Sequence, residues 1–403
     1  MVTLPPTDWR QRAGLDTLID ALGGGQDARF VGGAVRDALL GLPVADLDIA
    51  TRHDPEQVMH ALRRARIKAV PTGLAHGTIT AVIASGPVEV TTLRRDVSTD
   101  GRHAVVAFTD DWREDAARRD FTMNALYADP QTGEVFDYFG GLADLKARHI
   151  RFIGDARQRI AEDHLRILRF FRFLARFGDT PDAEGLDACT ERANDLMALS
   201  RERIRDEVLK LLVARDAVRV VRLMLDRGIF RPVLPEIGQA GVARLAALAD
   251  AEAAQGIGAD SIRRLAALIG PDAAIEVGAR LKLSNAERKR LEAAGLGAGD
   301  EGPRALAYRV GLESARDRLL LAGADARFPT EWMPPRLPVS GGAIVARGIG
   351  KGPDVARTLR AIEDRWIAEG FPDDVDAIVD AAVAHALSAA SNRNASSLST
   401  GRE

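Results

Sequence analysis

The chain changes character at Gly140-Gly141, and that change limits the folds open to it. Before it, short β-branched runs alternate with helical spacings. After it, the pattern is helical almost throughout and rich in alanine, leucine and arginine. In the first part, residues 9–22, 34–40 and 55–66 read as helices, and 29–31 and 47–50 as strands. Residues 78–84 and 88–94 flank Gly86-Pro87 as a β-hairpin. The polar stretch 96–104, with Asp100-Gly101, reads as a mobile loop. In the second part the clearest helices are 162–177, 186–197, 200–213 and 216–227, with Ser200 placed to cap the third. The same style continues over 241–293 and 302–324. A Pro/Gly-rich break at 336–353 precedes helices at 355–369 and 375–387. The pattern predicts an α+β protein: a head over 1–140 with a small mixed sheet and helices, then all-α neck (141–230), body and tail (231–387). Residues 388–403 are polar and serine-rich, so a disordered end is expected.

Length and composition narrow the function. The 403 residues suffice for two or more domains with real cores. A net charge of −3 excludes a uniformly basic nucleic-acid binder, though not a local basic groove. No apolar run reaches the length of a membrane span, and the N-terminus lacks a basic-then-apolar signal pattern. No membrane association and a cytoplasmic address are therefore expected. Cys189, the single cysteine, has no disulfide partner in the chain and cannot build a thiolate metal cage.

Chemistry concentrates first in residues 32–51. Gly32 and Gly33 follow a short apolar run, a setting in which a glycine turn can show backbone N–H groups to a phosphate. Arg36 adds a cation. Asp46 and Asp48, one residue apart, share one face if extended. Two hard carboxylates on one face suit Mg²⁺, which binds through few protein oxygens plus substrate phosphates. Glu89, on a neighbouring strand, is the candidate third carboxylate. The stretch lacks the Gly-Lys-Ser/Thr end of a P-loop and the glycine pattern of a dinucleotide fold.

Two further sets lie downstream. In Arg118-Arg119-Asp120-Phe121-Thr122-Met123-Asn124, polar groups stand against an apolar wall. Arg119 could meet a phosphate, and Asp120 or Asn124 a ribose hydroxyl. In Glu162-Asp163-His164-Leu165-Arg166, continuing through Arg169, Arg172 and Arg176, three-residue steps put Arg166, Arg169 and Arg172 on adjacent turns of a largely apolar helix. Buried arginines need anions. Either an internal salt-bridge network or a bound polyanion satisfies that need. His53-Asp54 superficially suggests a metal phosphohydrolase, but the further histidines such a site requires are missing.

Together these strings resemble the class II tRNA nucleotidyltransferase/poly(A) polymerase family of the DNA polymerase β-like nucleotidyltransferase superfamily. The resemblance rests on Gly32-Gly33 through Asp46-Leu47-Asp48, on Arg118 to Asn124, on residues 137–155, on Glu162-Asp163-x-x-Arg166 and on Glu202-Arg203-x-x-x-Glu207. It is dense over 28–213 and diffuse beyond. His164 departs from the family pattern, in which a proline is common at that place.

The resemblance implies template-independent addition of C, C and A to tRNA 3′ ends from CTP and ATP, by two-metal nucleotidyl transfer with Mg²⁺. It implies a polymerase β-like head, Asp46 and Asp48 as metal ligands, and Gly32, Gly33 and Arg36 at the triphosphate. Arg119, Asp120 and Asn124 would meet phosphate and ribose. Asp163 and Arg166 would face the base, with Arg169 and Arg172 lining the pocket. The appended HD phosphohydrolase domain of some members is not expected, nor its activity. Poly(A) addition and CC-only or A-only addition are the alternatives, and a catalytically inactive RNA-binding relative a more distant one. The segment 95–108 (Arg95, Asp96, Asp100, Arg102, Phe108) favours the full reaction, and the weakly charged tail favours tRNA over varied RNA.

Overall fold

The computed structural model describes residues 2–100, 103–329 and 331–399. It divides into two compact units: residues up to Val242 with Arg280–Lys282, and Ala243–Ala279 with Leu283 onward. The head and the neck thus lie in one unit, and the division falls after residue 242 rather than after 230.

The first unit is built on a mixed seven-stranded sheet. Its strands are β1 (Ala28–Val31), β2 (Asp48–Thr51), β3 (Lys68–Gly73), β4 (Thr78–Ile83), β5 (Gly86–Thr92), β8 (Leu126–Ala128) and β9 (Val135–Asp137), after a separate hairpin of β6 (Arg94–Asp100) and β7 (His103–Phe108). Their order is β3-β4-β5-β2-β1-β8-β9. Within this sheet the β2–β5 pairing alone is parallel, and its register sets Asp48 opposite Glu89. The expected β4–β5 hairpin forms, but its turn is at residues 84–85, and Gly86 and Pro87, expected in the turn, pair with Ile83 and Val82 as the start of β5; the exposed edge strand β3 was not legible. The stretch expected as a loop at 96–104 is instead the β6–β7 hairpin, because strand pairing from Arg94 opposite Phe108 carries the polar residues along. Arg102 and Gly101 lie outside the described residues.

Around the sheet run α1 (Leu15–Ala21), α2 (Gly33–Leu39), α3 (Pro55–Arg64), α4 (Trp112–Ala117) and α5 (Gly141–Lys146). Asp54 caps α3 in a reciprocal box with Gln57. Gly141 must be glycine, since a Cβ there would meet the Thr122 carbonyl oxygen at 2.3 Å. The helical neck holds α6 (Ala156–Glu162), α7 (Leu165–Phe177), α8 (Ala183–Glu191), α9 (Arg201–Leu212) and α10 (Ala217–Asp226). It also carries a short parallel pairing of His149–Ile150 with Thr180–Pro181. The helix expected over 162–177 is interrupted: Asp163 is extended (φ −150°, ψ 106°), and α7 starts after it.

Aromatic rings tie α7 to the head. Phe121 packs against Phe152, Phe170 and Phe173 with ring centroids 5.0, 6.3 and 5.0 Å away, and Phe152 stacks on Phe170 at 5.5 Å. Phe121, Phe152 and Phe170 are fully buried.

The second unit is helical: α11 (Gln239–Gln255), α12 (Ser261–Ile269), α13 (Ala274–Arg280), α14 (Asn285–Ala294), α15 (Pro303–Val310), α16 (Leu312–Leu321), α17 (Gly341–Ala346), α18 (Pro353–Ala368) and α19 (Asp376–Ser399). Arg263, Glu252 and Asp317 form a buried charge cluster there, with Arg263 donating to Glu252 at 2.8 Å. Trp366, Ile362, Ile378 and Val379 centre another core. Two expectations are corrected here. The break at 336–353 contains α17, which Ser340 caps. The disorder expected over 388–403 gives way to α19, whose backbone is helical to Ser399, because alanine-rich turns sustain a helix despite the serines; residues 400–403 lie outside the described set. Among the described residues no helix is long and apolar enough to cross a membrane.

If the ring cluster joins head to neck, Phe170→Ala destabilises the first unit by roughly 3–5 kcal/mol. Denaturant unfolding measures this; a loss below about 1 kcal/mol would show that the cluster is not the joint.

Candidate active site

The glycine turn forms where β1 ends. Gly32 sits at φ 68°, ψ −122°, a conformation closed to side-chain-bearing residues, and its N–H donates to Leu126 O at 3.1 Å. The chain then enters α2, which carries Arg36. Across the sheet, Leu47 is buried while Asp46 and Asp48 flank it, Asp46 exposed and Asp48 half-buried. Only Asp48 lies on β2; Asp46 precedes the strand. Yet Leu47 O accepts from Glu89 N at 3.2 Å, so the ladder reaches back between the two aspartates. Glu89 is exposed.

These carboxylates crowd one another. Burial and then Glu89 push the Asp48 carboxyl above its ordinary range, Asp46 adds to the shift, and Arg119 opposes it. Among the described residues no three His, Cys, Asp or Glu side chains converge tightly enough to hold a metal by themselves. The donor set is nevertheless hard, anionic and open on one side, which fits an ion that fills its remaining positions with water and phosphate.

Arg119 and Asp120, adjacent in sequence, turn to opposite partners. Arg119 donates from Nε to the Tyr127 hydroxyl at 3.1 Å and from Nη2 to Asp115 at 3.0 Å. Asp120 is buried; it accepts from Arg169 Nε at 2.8 Å, from Asn124 Nδ2 at 3.0 Å and from the Phe121 N–H at 2.8 Å. Burial alone would raise its pKa, but Arg169, Asn124 and that N–H overcome burial and hold it below the ordinary carboxylate range. Asn124 in turn accepts from Arg36 Nη1 at 2.6 Å. A continuous polar path thus joins α2 to α7.

On α7 the network goes further. Arg172 Nε donates to Glu207 of α9 at 2.5 Å, and Arg169 lies 3.9 Å from the same carboxylate. Arg166 bonds Glu162 at 2.5 Å, Arg159 O at 2.8 Å and Arg118 O at 3.1 Å. Asp163 accepts from the Leu165 N–H at 3.1 Å and from Arg203 at 2.8 Å. Of the two sequence readings of these arginines, the structure contains the internal salt-bridge network. It brings together Asp48 with Glu89, Arg36 with Asn124, and Asp120 with Arg169. It does not pair the side chains of Asp163 and Arg166, which engage different groups. Asp115 and Tyr127 went unnoticed in the sequence. The signal for Asp115 was its spacing of three and four residues before Arg118 and Arg119, which follow directly on α4.

A hollow of about 1370 Å³ opens between α1 and α3, lined by Asp20, His53 and His60, and touches none of the glycine-turn, carboxylate and arginine residues described above. The chemistry argues against it as the transfer site: it holds neither the glycine turn nor the paired aspartates.

Comparisons with known proteins agree with the geometry. A family model described as "Poly A polymerase head domain" matches residues 28–151, and one described as "Probable RNA and SrmB- binding site of polymerase A" matches 180–240. The mitochondrial CCA tRNA nucleotidyltransferase 1 of Mus musculus is 47% identical over 216 residues, covering 53% of this chain and 49% of the relative. The CCA-adding enzyme of Anoxybacillus flavithermus is 39% identical over 215 residues, 53% of each. The aligned part spans about half the length of these relatives. Among solved structures, the Bacillus stearothermophilus CCA-adding enzyme in complex with CTP superposes with a TM-score of 0.71 at 28% identity, covering 93% of this chain and 97% of that one. The Thermotoga maritima CCA-adding enzyme complexed with tRNA gives 0.68 at 19% identity, over 96% and 100%, which speaks for the fold.

The folded-state shift of Asp120 has a sign that can be checked. Its carboxyl titrates below the unfolded value of about 4, so its stabilisation is complete above that value and is lost as pH falls through the folded-state pKa. Asp120→Asn should therefore lower stability at pH 7, by up to about 3–5 kcal/mol, with the gap to wild type narrowing below about pH 4. Thermal melts across that range decide it; a gap independent of pH refutes the assignment.

Proposed function

Because the chain belongs to the class II tRNA nucleotidyltransferase/poly(A) polymerase family, we propose that it adds C, C and A to tRNA 3′ ends from CTP and ATP, without a nucleic-acid template. The observation that carries this reading is the juxtaposition of the Asp46–Asp48–Glu89 carboxylates with the glycine turn, joined by one polar path to the arginine-lined helix α7. Family membership implies divalent-metal use, and Mg²⁺ on Asp46 and Asp48, with Glu89 as the further acid, would neutralise triphosphate charge and favour attack by the RNA hydroxyl.

The chain's own groups do the positioning, which is most of the protein's part in phosphoryl chemistry. Gly32 and Gly33 bring backbone close to the triphosphate, and Arg36 and Arg119 add cations. Asn124 and Asp120 read the ribose hydroxyl from within their shared hydrogen bonds. Asp163 and Arg166 face the base, and Arg169 and Arg172 form the wall behind it. Cytosine and adenine each show an amino donor beside a ring acceptor, which a carboxylate and a guanidinium satisfy. Uracil and guanine show a ring N–H and a carbonyl instead and would leave those charges mismatched. For Asp163 to accept from the base amino group, Arg203 must yield its place at that carboxylate.

Single labelled nucleotides, Mg²⁺ and tRNA transcripts lacking none, one, two or all of the terminal CCA test the reading. Stepwise C, C, A on tRNA is expected; long homopolymeric A on any RNA would replace it with poly(A) addition. Asp46→Ala with Asp48→Ala should cost at least about a hundredfold in rate, the lower end of what metal charge stabilisation supplies. Asp163→Ala or Arg166→Ala should loosen the choice of CTP over UTP more than it slows transfer. Unchanged discrimination in both variants removes them from base selection.

A further inference from the structure

Arg119 uses two of its three nitrogens internally, and both lead to one buried carboxylate. Asp115 is 1% exposed. Its Oδ2 accepts from Arg119 Nη2 at 3.0 Å and from the Tyr127 hydroxyl at 2.6 Å, and that hydroxyl itself accepts from Arg119 Nε at 3.1 Å. The three groups close a ring of hydrogen bonds along one edge of the guanidinium. The opposite edge faces the glycine turn: a Cβ on Gly32 would stand 3.5 Å from Arg119 Nη1. The same guanidinium is close enough to Asp48 to pull against that carboxyl's upward shift.

The other oxygen of Asp115 has different duties. Oδ1 accepts from Arg118 Nε at 2.8 Å and from the backbone N–H of Arg94, the first residue of β6, at 3.2 Å. One carboxylate therefore fixes the direction of Arg119 and fastens the base of the β6–β7 hairpin to α4. A side chain with four donors has a single low-energy placement. A guanidinium gripped along one edge presents the other without having to be ordered when substrate binds.

We propose that Asp115, with Tyr127, is the positioning residue of the transfer site: it holds Arg119 so that Nη1 points across Gly32 at the nucleotide's phosphates. This rests on the nucleotidyl-transfer reading above. Asp115 touches no reacting atom; its effect passes through Arg119.

A double-mutant cycle on the full-length protein separates positioning from mere support. Asp115→Asn is expected to raise the KM for CTP about tenfold while leaving the KM for tRNA unchanged. Arg119→Ala should cost as much or more, and the double variant should be no worse than Arg119→Ala alone. Losses that multiply, or an Asp115→Asn enzyme with wild-type KM for CTP, overturn the proposal; a fall in kcat alone with all KM values unchanged marks a purely structural role and also overturns it. Should Asp115→Asn fail to fold, Tyr127→Phe replaces it in the same cycle, with a smaller rise in the nucleotide KM and the same non-additivity. Binding of Mg²⁺-CTP by wild type and variants, measured by calorimetry without RNA, keeps the outcome distinct from failure of the reaction itself. If wild type transfers nothing to tRNA yet binds CTP more tightly than the variants, the transfer reading fails and the positioning role stands.

Discussion

The ion pair between Asp120 and Arg169 is the contact on which the site's geometry depends. One partner comes from the head and the other from α7, 49 positions later. A buried pair is weak evidence for stability, since desolvation consumes much of the attraction. Here its cost is offset by a packed wall. Phe121 follows Asp120 directly and packs between Phe170 and Phe173, the neighbours of Arg169 and Arg172. The rings supply the adhesion and exclude water, and the charges set the register. A slip of α7 along the head would leave Asp120 buried without its cation.

The arginines illustrate a second constraint. A chain with so many guanidiniums gathered in one region must keep them apart and aimed. Arg36 is tied to Asp37 and Asn124, Arg119 to Asp115 and Tyr127, Arg166 to Glu162, and Arg172 to Glu207. Each carboxylate spends part of one cation and leaves the remainder directed. Preorganised charge of this kind acts on a developing anion without reorganising first. Burial pulls the Arg36 pKa down and Asp37 counters it, so the pairing also keeps that cation charged.

Much of this was legible in the residues themselves. The glycines at 32–33, the aspartates around Leu47 and the tandem Arg118-Arg119 are local strings whose chemistry follows from side-chain type and spacing. The β4–β5 hairpin and the helix after Ser200 followed from β-branched alternation and from that serine's capping chemistry. The misses have physical causes. β6 is polar and looked like a loop because strand pairing is a long-range property that single-residue preference underdetermines. The break before α7 escaped notice because Asp163 and His164 interrupt a helical period without glycine or proline.

By itself the sequence determined an α+β head, a helical remainder and the inventory of clustered acids and cations, because periodicity and composition are local quantities. Which acid meets which cation was decided only in three dimensions. Asp115 could have been a surface residue of α4 until Tyr127, from β8, closed the ring around Arg119. Asp120 has no cation beside it until α7 brings Arg169 within 2.8 Å. A carboxylate's role is set by the donors within about 3 Å of it, and those come from strands and helices that only folding brings together.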